Sequence, residues 1–450
     1  SLSQKFAFAQ ISQHWRDFAL KNPVFWSTIM VGDSESRLKL HWRWVPLALE
    51  RSGSSTMLHI YFDCTDGRYY ADAIEALRPC VHRIQTLEMR YYTPPHPRDL
   101  LASNLQFPAL RVLRVYGAHN YHSLRLSLTA PQLQALEVGE VESANLHALF
   151  VPSLEDIELY RHLGSVNTLA NIFQQCPRVR RVVLSAPYDR ITSPDADFEA
   201  FSRRPLALRH LELEMEGDLI RVLRAGFSHP DNILHTLGIR VPPGASFGLL
   251  ADALLVGVDS IILFDLIRPM ELQLRDEQGR VRRLLNDHQS VWKPKEVWTH
   301  LSLRYNLHKT VREIRVNQFY WDDIVDLFAL YPLGDGPITF RIEVSFHAVH
   351  FNKPLHIPAL SRVEFTGRDT DTNPMYLQQV LGVLAKIQPP AARKVEVCVL
   401  SKKLRVPEKE LEGIQDASIA LEKELSGTDW AICTHSGRCM YSLSQDSQGE

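Results

Sequence analysis

The sequence predicts an α/β solenoid whose strands line a concave face, preceded by a short all-α segment. Three observations predict it: a Leu-x-x-Leu-x-Leu-like pattern that occurs seven times, a spacing compatible with one repeat period, and helix-like stretches between the apolar triplets. The triplets are Ile84, Leu87 and Met89; Leu110, Leu113 and Val115; Leu133, Leu136 and Val138; and Leu154, Ile157 and Leu159. They continue as Val179, Val182 and Leu184; Leu208, Leu211 and Leu213; and Leu234, Leu237 and Ile239. From Leu87 the middle residue advances by 26, 23, 21, 25, 29 and 26 positions to Leu237. Leucine-rich repeats recur every ~20–29 residues, each unit burying its apolar side only against its neighbours. The expected fold is therefore a leucine-rich-repeat-like solenoid with irregular repeats. The ninth repeat position, where Asn or Cys is usual, holds Ala118, Val141, His162, Pro187, Glu216 and Pro242, so no asparagine ladder is expected.

Within each triplet the alternation suits a strand that turns every second side chain to the core. Between triplets, Thr168 to Cys176 carries Leu169, Ile172 and Phe173 at helical spacing, and Pro177 stops it. Past residue 240 the period loosens. Strands are expected at Trp298, Leu301 and Leu303, at Val311, Ile314 and Val316, and at Leu360, Val363 and Phe365. A helix from Met375 to Ile387 and a strand from Lys394 to Leu400 follow.

The ends differ from the middle. Residues 1–31 read as helix, turn, helix, with Phe6, Ile11, Trp15 and Phe18 at helical spacing, Asn22 as N-cap and Pro23 at the first helical position. Arg37 to Arg51 reads as a further helix, followed by a turn at Ser52 and a strand from Met57 to Phe62. Glu408 to Leu425 places Leu411, Ile414, Leu421 and Leu425 on one helical face, a candidate cap, and residues 442–450 are polar. The expected organisation is a helical head at 1–31, a connecting helix and turn at 32–56, the solenoid at 57–405, and a cap with a frayed tail at 406–450.

Composition narrows the function classes. The 450 residues carry a net charge of -2, with 45% hydrophobic and 23% charged residues, values that argue against disorder and against a basic nucleic-acid arm. Six scattered cysteines and no Asn-x-Ser/Thr sequon favour a reducing, intracellular setting, cytoplasmic or nuclear. The longest apolar stretch, Phe247 to Ile267, contains Asp252, Asp259 and Asp265 and reads as core rather than as a membrane span. The first residue is Ser1 rather than Met, as expected of a fragment or a processed form.

Motifs for phosphate cradles, zincins and nucleophile elbows are missing, so no enzyme activity, cofactor or metal is expected. Asp369, Asp371 and Asn373 begin like a calcium loop, but Pro374 stands where Gly is required and Val380 where Glu is. Cys433, His435 and Cys439 are one ligand short of a structural zinc site. His347, His350 and His356 are a chance cluster in a chain with 19 histidines, and the basic runs Arg178–Arg181 and Arg280–Arg283 read as solvated faces.

If the strands stack, the residue between the last two apolar positions of each triplet, and the one after them, face outward. This rule yields Glu88, Arg114, Tyr116, Glu137, Glu158, Tyr160, Glu212, Glu214 and Arg240, a mainly acidic stripe flanked by arginine; later strands add Ser302, Arg304, Arg315 and Asn317. Such a stripe, anchored by Tyr116 and Tyr160, suits a protein partner with a basic segment; the plainer alternative is that these charges only solvate an exposed sheet. On this basis, reversing Glu137, Glu158 and Glu212 to Lys is expected to weaken partner capture without lowering the melting temperature.

The segment from Gln10 to Ile29 contains Trp15-Arg16-Asp17, Ala19, Pro23 and Trp26 in one order and spacing. It resembles the second half of the F-box in large fungal F-box proteins, with Ile11, Trp15, Arg16, Pro23 and Trp26 on the adaptor side. The resemblance extends loosely to about residue 90. It implies a substrate-receptor subunit of an SCF-type cullin–RING ubiquitin ligase, which binds a Skp-type adaptor through the F-box and an unknown protein substrate through the repeats. Such a subunit supplies proximity rather than chemistry. The family's Leu-Pro motif and first F-box helix are not among these residues, so the implied adaptor contact is weakened. Two alternatives stand beside it: a repeat scaffold that does not bind the adaptor and, more distantly, an enzyme on an α/β framework.

Overall fold

The computed structural model describes residues 12–32, 44–64, 70–91, 100–101, 104–117, 126–139, 146–160, 166–185, 204–214, 234–240, 247–256, 258, 260–266, 271–285, 294–344, 353–367, 375–390, 394–399, 404–405 and 430–432. Ile11, the cap helix at 408–425, the calcium-like run, the zinc-like trio, His347, His350 and the six ninth-position residues lie outside them. The chain divides into two compact units, Ser1–Leu234 and His235–Glu450, both mixed α/β and dominated by parallel strands.

The first unit opens with α1 (Gln13–Lys21), started by Ser12, whose hydroxyl accepts from the Trp15 N–H at 3.3 Å. Asn22 ends it and caps a single 3-10 turn, Pro23–Trp26, by accepting from the Val24 N–H at 3.2 Å. Helix is expected to continue to residue 31, but Thr28–Gly32 is a strand, β1. Its Ile29 and Val31 alternate into the core, and this burial overrides the local helical signal. The connecting segment contains α2 (Val45–Arg51), as expected, and a turn at Gly53, whose φ of +67° suits glycine. Arg83, itself buried, donates to the carbonyls of Leu49, Gly53 and Thr56 and so satisfies the end of α2.

From β1 the strands follow in order: β2 (Leu58–Cys64), β3 (Ile84–Tyr91), β5 (Val112–Gly117), β7 (Ala135–Gly139), β8 (Asp156–Tyr160), β9 (Arg181–Ser185) and β10 (His210–Glu214). Each is parallel to its predecessor. Parallel neighbours require a crossover at every step. Two crossovers contribute the short strands β4 (Leu105–Gln106) and β6 (Leu128–Thr129), which pair with each other; others contain α3 (Tyr70–Leu77) or α4 (Val166–Gln175). Ile29, Ile60, Leu87, Leu113, Leu136, Ile157, Val182 and Leu211 stand opposite one another across the eight strands, each at most 1% exposed. Burying one such side chain contributes about 1.5–3 kcal/mol. Phe107, Leu128, Phe150, Ile172 and Phe173 of the crossovers complete this core.

In the second unit β11 (Thr236–Arg240) is parallel to β14 (Val281–Leu285), which is antiparallel to β13 (Glu271–Asp276), itself antiparallel to β12 (Ile261–Leu266). The β13–β14 hairpin therefore lies between the two strands that a simple repeat would pair, which is why the period loosens here. Its turn is held by Asp276, which accepts from the Gln278 and Arg280 N–H groups and pairs with the Arg280 side chain at 2.6 Å, while Gly279 supplies a φ of +77°. Parallel pairing then resumes through β15 (Glu313–Asn317), β16 (Ile338–Val344), β18 (Leu360–Gly367), β21 (Val395–Val399) and β23 (Trp430–Ile432). Short pairs join β17 (Leu355–His356) to β20 (Ile387–Gln388), and β19 (Met375–Tyr376) to β22 (Leu404–Arg405).

Among the described residues the α-helices of this unit are α5 (Phe247–Leu254), α6 (Pro294–Tyr305), α7 (Leu307–Thr310), α8 (Trp321–Leu330) and α9 (Leu377–Leu384). The strand expected at Trp298, Leu301 and Leu303 is instead part of α6: Trp298 and Leu301, three apart, are fully buried on one helical side, while Leu303 is 71% exposed. Ser302 and Arg304 are accordingly helix residues rather than sheet-face residues. The described residues of the Phe247–Ile267 stretch form α5 and β12, most of their apolar side chains are buried, and Asp265 pairs with Arg315 at 3.3 Å, so they are core as expected. Among the described residues no helix is long and apolar enough to cross a membrane.

Candidate partner-binding surface

Because β-strand side chains alternate, the residues between the buried rows of the first unit form polar rows on the opposite face of the sheet. One row runs Met30, Tyr61, Glu88, Arg114, Glu137, Glu158, Val183, Glu212 across the eight strands. The outward-facing rule thus brings Glu88, Arg114, Glu137, Glu158 and Glu212 together in register. Tyr116 and Tyr160 lie in the next row, with Asp63 and Arg90 on one side and Gly139 between them. The side chains of Glu214 and Arg240 lie outside the described residues; Arg240 stands in the second unit, opposite Leu285.

The carboxylates of this face are paired rather than bare. Arg114 bridges Glu88 at 3.7 Å and Glu137 at 3.1 Å, and Arg90 reaches Glu88 at 3.2 Å. Arg181 pairs with Asp156 at 3.0 Å and with Glu158, which also accepts from the Tyr160 hydroxyl. Arginine is thus interleaved with the acids and does not merely flank them. Each such partly exposed pair contributes about 0.2–1 kcal/mol. This corrects the expected effect of charge reversal: lysine at 137 and 158 would face Arg114 and Arg181, so the triple variant would lose stability as well as any partner.

Burial, followed by the charges of Glu137 and Glu212, pushes the Tyr160 phenol up to about 12; burial and a hydrogen bond with Glu137 push Tyr116 up as well. A folded-state value above the unfolded ~10 means that this contribution to stability is intact below about pH 10 and is lost as pH rises through 12. Tyr160→Phe is accordingly expected to flatten the loss of stability between those values; a urea-midpoint profile unchanged by the substitution would contradict it.

Sequence spacing misses several residues of this face. His59 and Thr86 share a 3.0 Å hydrogen bond one row over, and Tyr61, Asp63, Asp156 and Arg181 belong to the same surface. The signal is present, since Trp26, Ile29, Val31 and Met57, Ile60, Phe62 repeat the triplet spacing. In the second unit the polar face carries another ion-pair ladder. Glu364 accepts from Arg341 at 2.5 Å and Arg362 at 3.0 Å, and Arg315 pairs with Glu313 at 2.7 Å. Of the basic run at 280–283, expected as a solvated face, Arg280 pairs with Asp276 and Arg283 with Glu271, while Arg282 is buried on the inward side of β14.

The head has its own surface. Trp26 is buried and its indole N–H donates to the Ala19 carbonyl at 2.5 Å, which folds the Pro23–Trp26 turn back onto α1. Trp15 and Phe18 pack edge to face at 5.8 Å, yet stay 39% and 46% exposed, and Val24 is 68% exposed. Cys80 and Cys176 are free thiols. Among the described residues no group of three His, Cys, Asp or Glu side chains is placed to hold a metal ion. No protein-family model matches the chain, and no curated protein matches it.

Proposed function

We propose that the chain is a non-catalytic substrate receptor of an SCF-type cullin–RING ubiquitin ligase, with an F-box-like head for a Skp-type adaptor and a leucine-rich-repeat-like sheet for a protein substrate. One observation carries the proposal: a folded-back Trp26 turn, with Trp15, Phe18 and Val24 left exposed, leads directly into an in-register parallel ladder that has one apolar and one polar face. The apolar head suits a hydrophobic adaptor contact, and the pre-paired polar face suits protein recognition through rigid, oriented charges.

Co-expression with a Skp-type adaptor tests the proposal. Wild type is expected to co-elute with the adaptor, while Phe18→Asp with Val24→Asp abolishes co-elution and retains the wild-type circular dichroism spectrum, because Val24 is 68% exposed and the Phe18 ring packs on Trp15 of the same helix. A wild-type chain that captures no adaptor would leave the sheet as a free-standing scaffold.

A further inference from the structure

We infer that Tyr116, Gly139 and Tyr160 form a slot for one arginine side chain of the protein partner. The inference deepens the receptor proposal, on which it rests, by naming the chemistry that its sheet face accepts. Val115 stands opposite Val138 and Gly139 opposite Tyr160, so Gly139 occupies the strand between the two tyrosines. At ~4.8 Å per strand, the two tyrosine backbones are about 10 Å apart, and a planar group stacked between two rings needs about 7 Å.

Glycine leaves the floor of this slot open. A methyl group on Gly139 would meet nothing nearer than the Val115 carbonyl oxygen at 3.9 Å and Tyr160 Cβ at 4.0 Å. The chain already stacks a guanidinium on one of these rings, since Arg90 Cζ lies 5.4 Å from the Tyr116 centroid, on the β3 side. Among the described residues of the row, the β7 position carries no side chain to take that place, because it is glycine. Glu137 and Glu158, two residues before Gly139 and Tyr160 on the same face, are paired with Arg114 and Arg181. With Asp63, Glu88, Asp156 and Glu212, however, they outnumber the arginines of these rows, Arg90, Arg114 and Arg181, so the face stays net negative. Arginine fits better than lysine because its charge is planar and stacks on aromatic faces.

The test uses the whole chain and two fluorescein-labelled peptides, Gly-Ser-Arg-Gly-Arg-Ser-Gly and its counterpart with citrulline in place of both arginines, read by fluorescence polarisation at low salt. Wild type is expected to prefer the arginine peptide by about tenfold. Gly139→Val, which fills the slot and suits a strand, and Tyr160→Leu, which removes a wall, are each expected to abolish that preference while retaining the wild-type circular dichroism spectrum. Equal binding of both peptides by wild type, or a tenfold preference surviving in a folded variant of either kind, would overturn the inference. Adaptor co-elution measured on the same samples separates the two proposals. A chain that holds the adaptor without arginine preference overturns the slot alone, and one with the preference but no adaptor overturns the receptor assignment.

Discussion

Truncation of Leu136 to alanine is expected to cost about 3 kcal/mol of stability, and truncation of its neighbour Glu137 about 1 kcal/mol or less. Leu136 is 1% exposed and packed in register between Leu113 and Ile157, so removing its branched end leaves a cavity that neighbouring strands cannot close without breaking their own register. Glu137 points the other way, and its partner Arg114 retains Glu88 at 3.7 Å when the carboxylate is lost. The contrast between consecutive residues follows directly from the two-residue period of a strand. Urea unfolding of the two variants checks it; equal losses would mean that the apolar triplets do not face a common core.

Trp298→Ala is expected to cost about 3–5 kcal/mol, the range for removing a large aromatic side chain from a core. The ring is completely buried on α6, edge-on to Phe264 of β12 at 4.9 Å and tilted against Phe328 of α8 at 5.1 Å, so it joins one strand and two helices of the second unit. Trp298→Phe retains an aromatic contact and is expected to lose less than half as much. Thermal unfolding of both variants measures the difference, and an alanine variant as stable as the phenylalanine variant would contradict this packing.

The repeat was legible wherever burial and spacing coincide. All seven triplets lie on or at the start of strands, and the outward-facing rule placed Glu88, Arg114, Glu137, Glu158 and Glu212 in one row. One strand of the ladder, β1, went unrecognised for a local reason. Trp26 belongs both to the helical head and to the triplet that it forms with Ile29 and Val31, and the 31-residue advance from Ile29 to Ile60 exceeds the period of the others.

The β13–β14 hairpin was illegible because Arg282 occupies an inward position where the alternation demands an apolar residue. Burial, and then the nearby Arg280, lowers this guanidinium to about 10, so the position carries a cost that composition does not reveal. The internal pairing of the stripe was equally hidden, because Arg181 reaches Asp156 and Glu158 only through strand register. Spacing along one strand identifies faces but not cross-strand partners.

Site-specific photo-crosslinking in cells tests the receptor assignment most directly. A benzophenone amino acid replacing Phe18 on the head should capture a Skp-type adaptor. The same group replacing Leu206, which is 86% exposed but distant in sequence from the head, should not. Capture of the adaptor at position 18 and not at 206 is the predicted result; no adaptor at position 18, or equal capture at both positions, would contradict it.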